Sequence, residues 1–281
     1  GFLGPNGAGK TTTLKMLTDM IFPTRGEAFL NGVSVQKDRK KALGFAGVLI
    51  ETPELYPSLS PREALQMVSD LRGVPREVRD ERIEAVLGEV KMGDWIDHKV
   101  GTFSKGMKQR VNIAAALVHA PPILLLDEPT SGLDPRGMSE VREILRALKR
   151  GPRLIFMSSH ILSEVNDICD EVALLDHGKL LLHESLADVA TKFHSDRSYV
   201  DVGFAQPIDD ATAGARIGGL EGLLGWSRLD SQRLRLQIAG GLGPQRQLFD
   251  QIGALHAGAV SFTPAQNALE ETYLQLISKG D

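Results

Sequence analysis

Cysteine is almost absent from this sequence of 281 residues, and long apolar runs are missing altogether. Cys169 is the single cysteine, so the chain cannot form an internal disulfide, which suits a reducing compartment. No apolar run approaches the roughly 18 residues that a membrane-spanning helix needs, and no signal peptide is visible. The formal net charge is only −4, which argues against nucleic acid as the main partner, since a binding face would need clustered Lys and Arg.

Apolar residues themselves are plentiful. They make up 42% of the sequence, which is ample for a folded core and argues against disorder. The length fits one large domain or two small ones.

The stretch GPNGAGKTT lies close to the beginning of the sequence. It fits the pattern G-x-x-x-x-G-K-[ST] of a phosphate-binding loop, in which Lys10 reaches the β- and γ-phosphates and the Thr11 hydroxyl holds Mg²⁺. The glycines allow backbone N–H groups to approach a triphosphate closely. A glycine-rich turn that binds nothing is the competing interpretation, but it does not explain the whole pattern. We therefore predict a nucleotide site made by Gly4, Pro5, Asn6, Gly7, Ala8, Gly9, Lys10, Thr11 and Thr12.

Only three residues precede this loop, although such a loop normally follows a buried strand, and no initiator Met is present. We expect Gly1, Phe2 and Leu3 to be the end of that strand, and the chain to be a fragment that lacks its first strands.

Apolar runs alternate with helical patterns along the first two thirds of the chain. Residues 46–50, 123–126 and 154–157 are predicted strands, and the order strand, helix, strand predicts an α/β fold with a parallel core sheet. A helical block is predicted at about 60–119, and residues 172–182 are a predicted hairpin. From about residue 195 the character changes, with predicted strands at 199–204 and 234–238 separated by Gly- and Ala-rich connections. We predict a first domain at 1–190 and a small α+β accessory domain at 195–281.

Two carboxylates follow the strand at 123–126. Because ligands of open parallel sheets bind at the carboxyl ends of the strands, Asp127 is placed to hold Mg²⁺. Glu128, one residue further, is placed to act as a general base or to position a water in line with the γ-phosphate. An ordinary solvated carboxylate pair is the alternative, and the phosphate-binding loop in the same chain makes it less favoured.

Four further segments are placed to contribute to a nucleotide site. Ser104 is a predicted N-cap, and a helix N-terminus with a free glycine is a second anion site. Residues 131–134 form a tight loop after the carboxylates. His160 follows the strand at 154–157, where a ring nitrogen can meet a γ-phosphate, although a lone His is more often structural. Glu51 follows the strand at 46–50.

In this order, the segments resemble the nucleotide-binding subunit of ABC transporters over about residues 1–190. The resemblance depends on the P-loop, on ILLLDEPTSGLDP and on His160. It implies a P-loop NTPase fold with a helical signature subdomain, ATP and Mg²⁺ as cofactors, and a head-to-tail homodimer. Each ATP would lie between the P-loop of one copy and the signature segment of the other, which here is Ser104, Lys105, Gly106 and Met107. The corresponding dimer loop is Ser131, Gly132, Leu133 and Asp134.

The resemblance also implies an activity and a location. Hydrolysis, with Glu128 and His160 as catalytic residues and Thr11, Asp127 and Glu51 as metal ligands, would drive a separate membrane permease. The subunit would be cytoplasmic and peripheral on the inner face of the cell membrane. The segment from Glu51 to Glu63 would contact the permease, and no nucleic acid would be involved.

Two departures from the family pattern are informative. The family's usual LSGGQ is FSKGM here, so Lys105 and Met107 are unusual while Ser104 and Gly106 are retained. The family's usual Gln is Glu51, which adds negative charge near the γ-phosphate. Both features, and the ending NALEETYLQLIS, are similar to the bacterial drug- and bacitracin-resistance branch of exporters.

Three functions remain open at this point. The first is the ATPase subunit of an exporter. The second is a soluble ABC ATPase that acts on the ribosome or DNA, although such proteins carry a second ATPase unit, zinc fingers or long coiled coils. The third is a degenerate subunit that binds ATP without hydrolysing it, which Glu51 and Lys105 suggest and intact Glu128 and His160 oppose.

Overall fold

The structure is a computed structural model that describes residues 1–51, 55–193, 197–239, 242–254 and 258–264. Residue contacts divide the chain into Gly1–His183 and Glu184–Asp281, each with its own sheet and its own hydrophobic core. The division falls at Glu184, whereas the sequence places the change of character between about residues 190 and 195. The C-terminal segment NALEETYLQLIS lies outside the described residues.

The first unit combines short strands with longer helices. Its strands are β1 (Phe2–Leu3), β2 (Phe29–Leu30), β3 (Val33–Ser34), β4 (Ala46–Leu49), β5 (Ile123–Leu126), β6 (Leu154–Ser159), β7 (Glu171–Asp176) and β8 (Lys179–Ser185). Its helices are α1 (Lys10–Leu17), α2 (Arg39–Gly44), α3 (Pro61–Arg72), α4 (Arg76–Glu89), α5 (Lys105–Leu117), α6 (Pro135–Lys149) and α7 (Leu162–Ile168).

The main sheet of this unit has the strand order β4-β5-β6-β1-β7-β8. The pairs β4–β5, β5–β6, β6–β1 and β1–β7 are all parallel, which confirms the predicted parallel core. The short strand β1 is central, with Phe2 opposite both Ser158 and Ala173. The loops that follow β1, β4, β5 and β6 therefore open at one edge of the sheet, which brings the predicted site residues to the same place.

The helical block packs beside this sheet. Ser60 and Glu63 form the predicted capping box at the start of α3, with a proline at the first helical turn. Helices α3, α4 and α5 contact one another and share one apolar core with β4 and β5. Within the described ranges, no helix combines the length and the hydropathy that a membrane span requires.

Within its described residues, the second unit contains a short helix followed by four strands and two further helices. In chain order these are α8 (Leu186–Phe193), β9 (Arg197–Phe204), α9 (Asp210–Ile217), β10 (Leu223–Arg228), β11 (Arg233–Ala239), α10 (Leu242–Ala254) and β12 (Ala259–Pro264). The sheet order is β10-β11-β9-β12, and every neighbouring pair is antiparallel. The succession βαββαβ with this order is the split βαβ, or ferredoxin-like, arrangement.

One face of the second sheet is apolar. Alternate residues of β9 and β11 are buried against residues of α9 and α10: Val200, Val202, Leu234, Leu236, Ala213, Ile217, Leu248 and Ile252. The two predicted strands of this region are thus present, but the Ala-rich connection after Phe204 contains α9. Alanine has the highest helix propensity, and Ala213 and Ile217 bury one face of that helix.

Candidate functional site

The P-loop connects β1 to α1, and its shape explains its glycines. A side chain at Gly4 would place its Cβ 2.3 Å from the Leu175 carbonyl oxygen of β7, so only glycine fits there. Gly9, the N-cap of α1, has φ 105°, a left-handed conformation that favours glycine. The loop therefore leads directly into the N-terminus of α1, where unpaired N–H groups and the helix dipole attract anions.

Lys10 lies inside this loop and is buried. Its Nζ donates to the carbonyl oxygens of Gly4 and Pro5 at 2.9 and 3.1 Å. The same nitrogen is 3.4 Å from Oε1 of Glu128. The ammonium therefore joins the P-loop to the loop that follows β5.

Asp127 is buried at the end of β5, and both of its oxygens are hydrogen-bonded. Oδ2 accepts from the Thr11 hydroxyl at 2.8 Å, and Oδ1 accepts from the Ser158 hydroxyl at 2.6 Å. Ser158 is itself fully buried, and its Oγ accepts from the Glu128 N–H at 2.9 Å. Sequence reasoning missed Ser158, although a hydroxyl in a buried strand just before His160 was a signal for it.

Glu128 lies between two nitrogen groups. Its Oε2 is 3.1 Å from Nδ1 of His160, and its Oε1 faces Lys10. Its backbone φ is 42°, a left-handed conformation that is uncommon for a residue other than glycine. Such strain costs on the order of 1 kcal/mol and is typical of functional sites. The structure thus brings together three predicted residues, Lys10, Glu128 and His160, with the Glu128 carboxylate between the other two.

The oxygen atoms of Thr11 and Asp127 fit a magnesium ion. Hard oxygen donors are what Mg²⁺ prefers, with only one or two protein ligands of this kind. Glu51 is different, because its Oε1 accepts from Lys15 Nζ of α1 at 2.5 Å and its side chain is 65% exposed. Its role as a metal ligand therefore stays a prediction. Among the described residues, no group of three or more His, Cys, Asp or Glu side chains is placed to hold a metal.

The predicted signature segment begins α5. Ser104 caps the helix by accepting from the Met107 N–H at 3.2 Å, as predicted, and Lys105 is the first helical residue. A Cβ on Gly106 would lie 3.2 Å from Gly137 Cα at the start of α6, so the two helices meet closely at their N-terminal ends.

The predicted dimer loop leads into α6. Asp134 caps α6 by accepting from the Gly137 N–H at 3.0 Å, and Gly132 has φ 70°. The Ser131 N–H donates to the Glu128 carbonyl at 3.0 Å. Signature segment and dimer loop are therefore packed together through Gly106 and Gly137, and sequence reasoning missed Gly137.

Comparison with known proteins agrees with this geometry. A family model described as ABC transporter matches residues 1–131. The ABC transporter ATP-binding protein NatA of Bacillus subtilis is 39% identical over 200 residues, which are 70% of this chain and 80% of NatA. The chain belongs to the ATP-binding proteins of ABC transporters.

Other members of this family are similar as well. An uncharacterized ABC transporter ATP-binding protein of Bacillus subtilis, YhcH, is 43% identical over 67% of this chain and 61% of its own length. The bacitracin transport ATP-binding protein BcrA of Bacillus licheniformis is 43% identical over 64% of this chain and 58% of its own length. The chain thus spans about 60% of the length of these two relatives.

A solved structure of an ATP-binding subunit of an ABC transporter is similar to this chain in both sequence and fold. It is 31% identical, has a TM-score of 0.60, and the match covers 68% of this chain and 80% of the other. The α/β fold with a parallel core sheet is therefore that of an ABC ATPase.

Proposed function

We propose that this chain is the ATP-hydrolysing subunit of a bacterial exporter, which dimerises on ATP and drives a separate membrane permease. The observation that carries the proposal is the position of Glu128, whose two carboxylate oxygens face Lys10 and His160 beside the Thr11–Asp127 pair. A nucleophilic water needs a base there, next to a group that binds phosphate.

Each residue has a distinct part in the proposed reaction. The P-loop N–H groups and Lys10 bind the β- and γ-phosphates. Thr11 and Asp127 would hold magnesium, which neutralises phosphate charge when it is bound. Glu128 orients the attacking water and accepts its proton. His160, through its contact with Glu128, keeps the carboxylate in place and presents its other ring nitrogen to the γ-phosphate.

The dimer and the permease belong to the same proposal. Ser104, Lys105, Gly106 and Met107 would meet the ATP of a second copy, and residues 131–134 would lie across the dimer axis. The permease contact would be the segment from Glu51 to Glu63, of which residues 52–54 lie outside the described ranges. Export is supported by relatives whose names mention bacitracin and lantibiotic transport. The chain would then be cytoplasmic and peripheral on the inner face of the membrane.

The alternatives have less support. A soluble ABC ATPase that binds the ribosome or DNA needs a basic surface, whereas the net charge here is −4. A subunit that binds ATP without hydrolysing it has no need of a strained Glu128 held between Lys10 and His160.

The test is Glu128→Gln in the complete protein. The amide keeps the size of the side chain but cannot accept a proton, so we expect ATP binding to persist while phosphate release falls by about 10²- to 10⁴-fold. The ATP-bound dimer should then accumulate in size-exclusion chromatography. Glu143→Gln is the matched control, because Glu143 pairs with Lys91 on the exposed face of α6. Unchanged phosphate release in Glu128→Gln would refute the assigned role.

A further inference from the structure

Glu164 is a buried carboxylate that the proposed reaction does not use. It lies in the first turn of α7 and is 1% exposed. Both of its hydrogen-bond partners are neutral hydroxyls: Oε1 accepts from Thr130 Oγ1 at 2.6 Å, and Oε2 accepts from Ser159 Oγ at 2.8 Å. Burying a carboxylate is costly even when it is hydrogen-bonded, and apolar packing would have stabilised the fold at lower cost.

The two hydroxyls belong to the loops that carry Glu128 and His160. Thr130 is two residues after Glu128, and Ser159 comes directly before His160. Ser159 Oγ also accepts from the Ile161 N–H at 3.0 Å, which fixes the turn around His160 from its other side. A single side chain from α7 therefore joins the segment after Glu128 to the segment that holds His160.

Other buried polar side chains fix neighbouring points of the Glu128 loop. Ser158 of β6 holds the Glu128 N–H, and Gln109 of α5 donates from Nε2 to the Pro129 carbonyl at 2.8 Å. Thr130, the next residue, is the one that Glu164 holds. Three successive residues are thus each fixed from a different element, and Glu164 is the contribution of α7.

We propose that Glu164 is a positioning residue that keeps the Glu128 carboxylate and the His160 ring in contact during ATP hydrolysis. The proposal rests on the proposed roles of Glu128 and His160. Glu164 acts through Thr130 and Ser159, so that the 3.1 Å separation between Glu128 Oε2 and His160 Nδ1 is maintained when nucleotide binds and leaves. Small displacements of reacting groups are expensive, since about 1 Å can reduce a rate 10²-fold.

The first experiment is Glu164→Gln in the complete protein with its permease. The amide has nearly the same shape, but it offers one acceptor oxygen where the carboxylate offers two. We expect kcat for ATP hydrolysis to fall by about 10- to 100-fold, while KM for ATP stays within about 2-fold, because the P-loop is untouched. Glu143→Gln, an exposed Glu→Gln change, should alter neither parameter. If the wild-type complex hydrolyses ATP and Glu164→Gln hydrolyses it equally fast, the positioning role is refuted and the proposed function stands.

A double-mutant cycle separates positioning from support of the fold. Glu164→Gln is measured in the wild-type and in the His160→Ala backgrounds by single-turnover phosphate formation, which resolves slow variants. A residue that acts through His160 loses most of its effect once His160 is absent, so we expect Glu164→Gln to cost less than about 3-fold in that background. Equal losses in both backgrounds would overturn the inference, because additive effects mean that Glu164 does not act through His160.

Thr130→Val provides a second variant that keeps Glu164 itself. It removes one of the two hydroxyls with little change of shape, and it should lower kcat without raising KM, as Glu164→Gln does. If Glu164→Gln does not fold, Thr130→Val decides: normal kcat in that variant would overturn the proposal. Failure of the wild-type complex to hydrolyse ATP would instead refute the proposed function.

Discussion

Glu51 follows β4, at the position where the resemblance to ABC ATPases predicts Gln. Its exposed side chain pairs with Lys15 on α1. A pair as exposed as this contributes at most about 1 kcal/mol to stability. The consequence of the pair is electrostatic, since Lys15 compensates the negative charge that Glu51 adds beside the proposed phosphate site.

We expect opposite effects from the two halves of this pair. Glu51→Gln removes the negative charge and should raise ATP turnover in the reconstituted complex, whereas Lys15→Gln leaves Glu51 uncompensated and should lower it. Changes of about 2- to 5-fold are expected for charges at this exposure. Steady-state ATPase rates of the two variants and of the double variant test this. Changes of the same sign would contradict it, and loss of transport alone in Glu51→Gln would assign Glu51 to coupling with the permease.

The groups of the proposed nucleotide site were predictable from the sequence, while the side chains that hold them in place were not. Lys10, Asp127 and His160 follow apolar strands or lie in a spaced motif, so their positions at the sheet edge follow from topology. Gln109 and Glu164 lie on helices, where a polar residue usually faces solvent. Only the packing of α5 and α7 against the loop after β5 turns these side chains inward.

His119, two residues after the end of α5, contacts the main sheet. His119 lies within hydrogen-bond distance of the Ala46 carbonyl of β4, with 3.2 Å between Nε2 and the oxygen. Burial, together with the positive charges of Arg72 and Arg82, lowers the pKa of His119 from 6.5 to about 4. The ring is therefore neutral at pH 7 in the folded protein.

The lowered pKa of His119 predicts that the stability of the fold depends on pH. Between pH 6.5 and about 4 the unfolded state binds a proton at this histidine that the folded state does not, so stability falls as pH decreases through that window. We expect a loss of about 1 to 3 kcal/mol from His119. His119→Gln, which can still donate to Ala46, should reduce the difference between urea midpoints at pH 7.5 and pH 4.5. An equal difference in wild type and variant would contradict the assignment.

The elements of the first unit were more predictable than those of the second. Strand β5 and the first four residues of β6 are continuous apolar runs, and Ser60 signals the start of α3, so local sequence was sufficient. The sequences of helices α9 and α10 are rich in Gly, Ala and Gln, which is typical of connecting segments. Their helical structure becomes evident only from their packing against the second sheet. The central position of β1 was also inaccessible, because pairing with β6 and β7 involves contacts far apart in sequence.

At the scale of the whole molecule, the hydrophobic core of the second unit shares no described residue with the largest core of the first. The core of the second unit is formed by residues between Val200 and Phe262, whereas the largest core of the first lies between Leu49 and Cys169. Stability is determined by burial within each core, so we expect each unit to unfold as a separate cooperative transition. The two tryptophans report on them separately, with Trp95 in the first unit and Trp226 in the second.

Leu236→Ala tests this independence. Leu236 is fully buried on β11, between β10 and β9, and the truncation should cost about 2 to 5 kcal/mol through lost burial and the remaining cavity. In a Trp95→Phe background, the urea transition followed by Trp226 should move to lower urea. In a Trp226→Phe background, the Trp95 transition and the affinity for ATP should be unchanged, because the P-loop and its core lie wholly in the first unit. If both transitions shift together, the two cores form one cooperative unit, and changes in the second unit would then reach the ATP site.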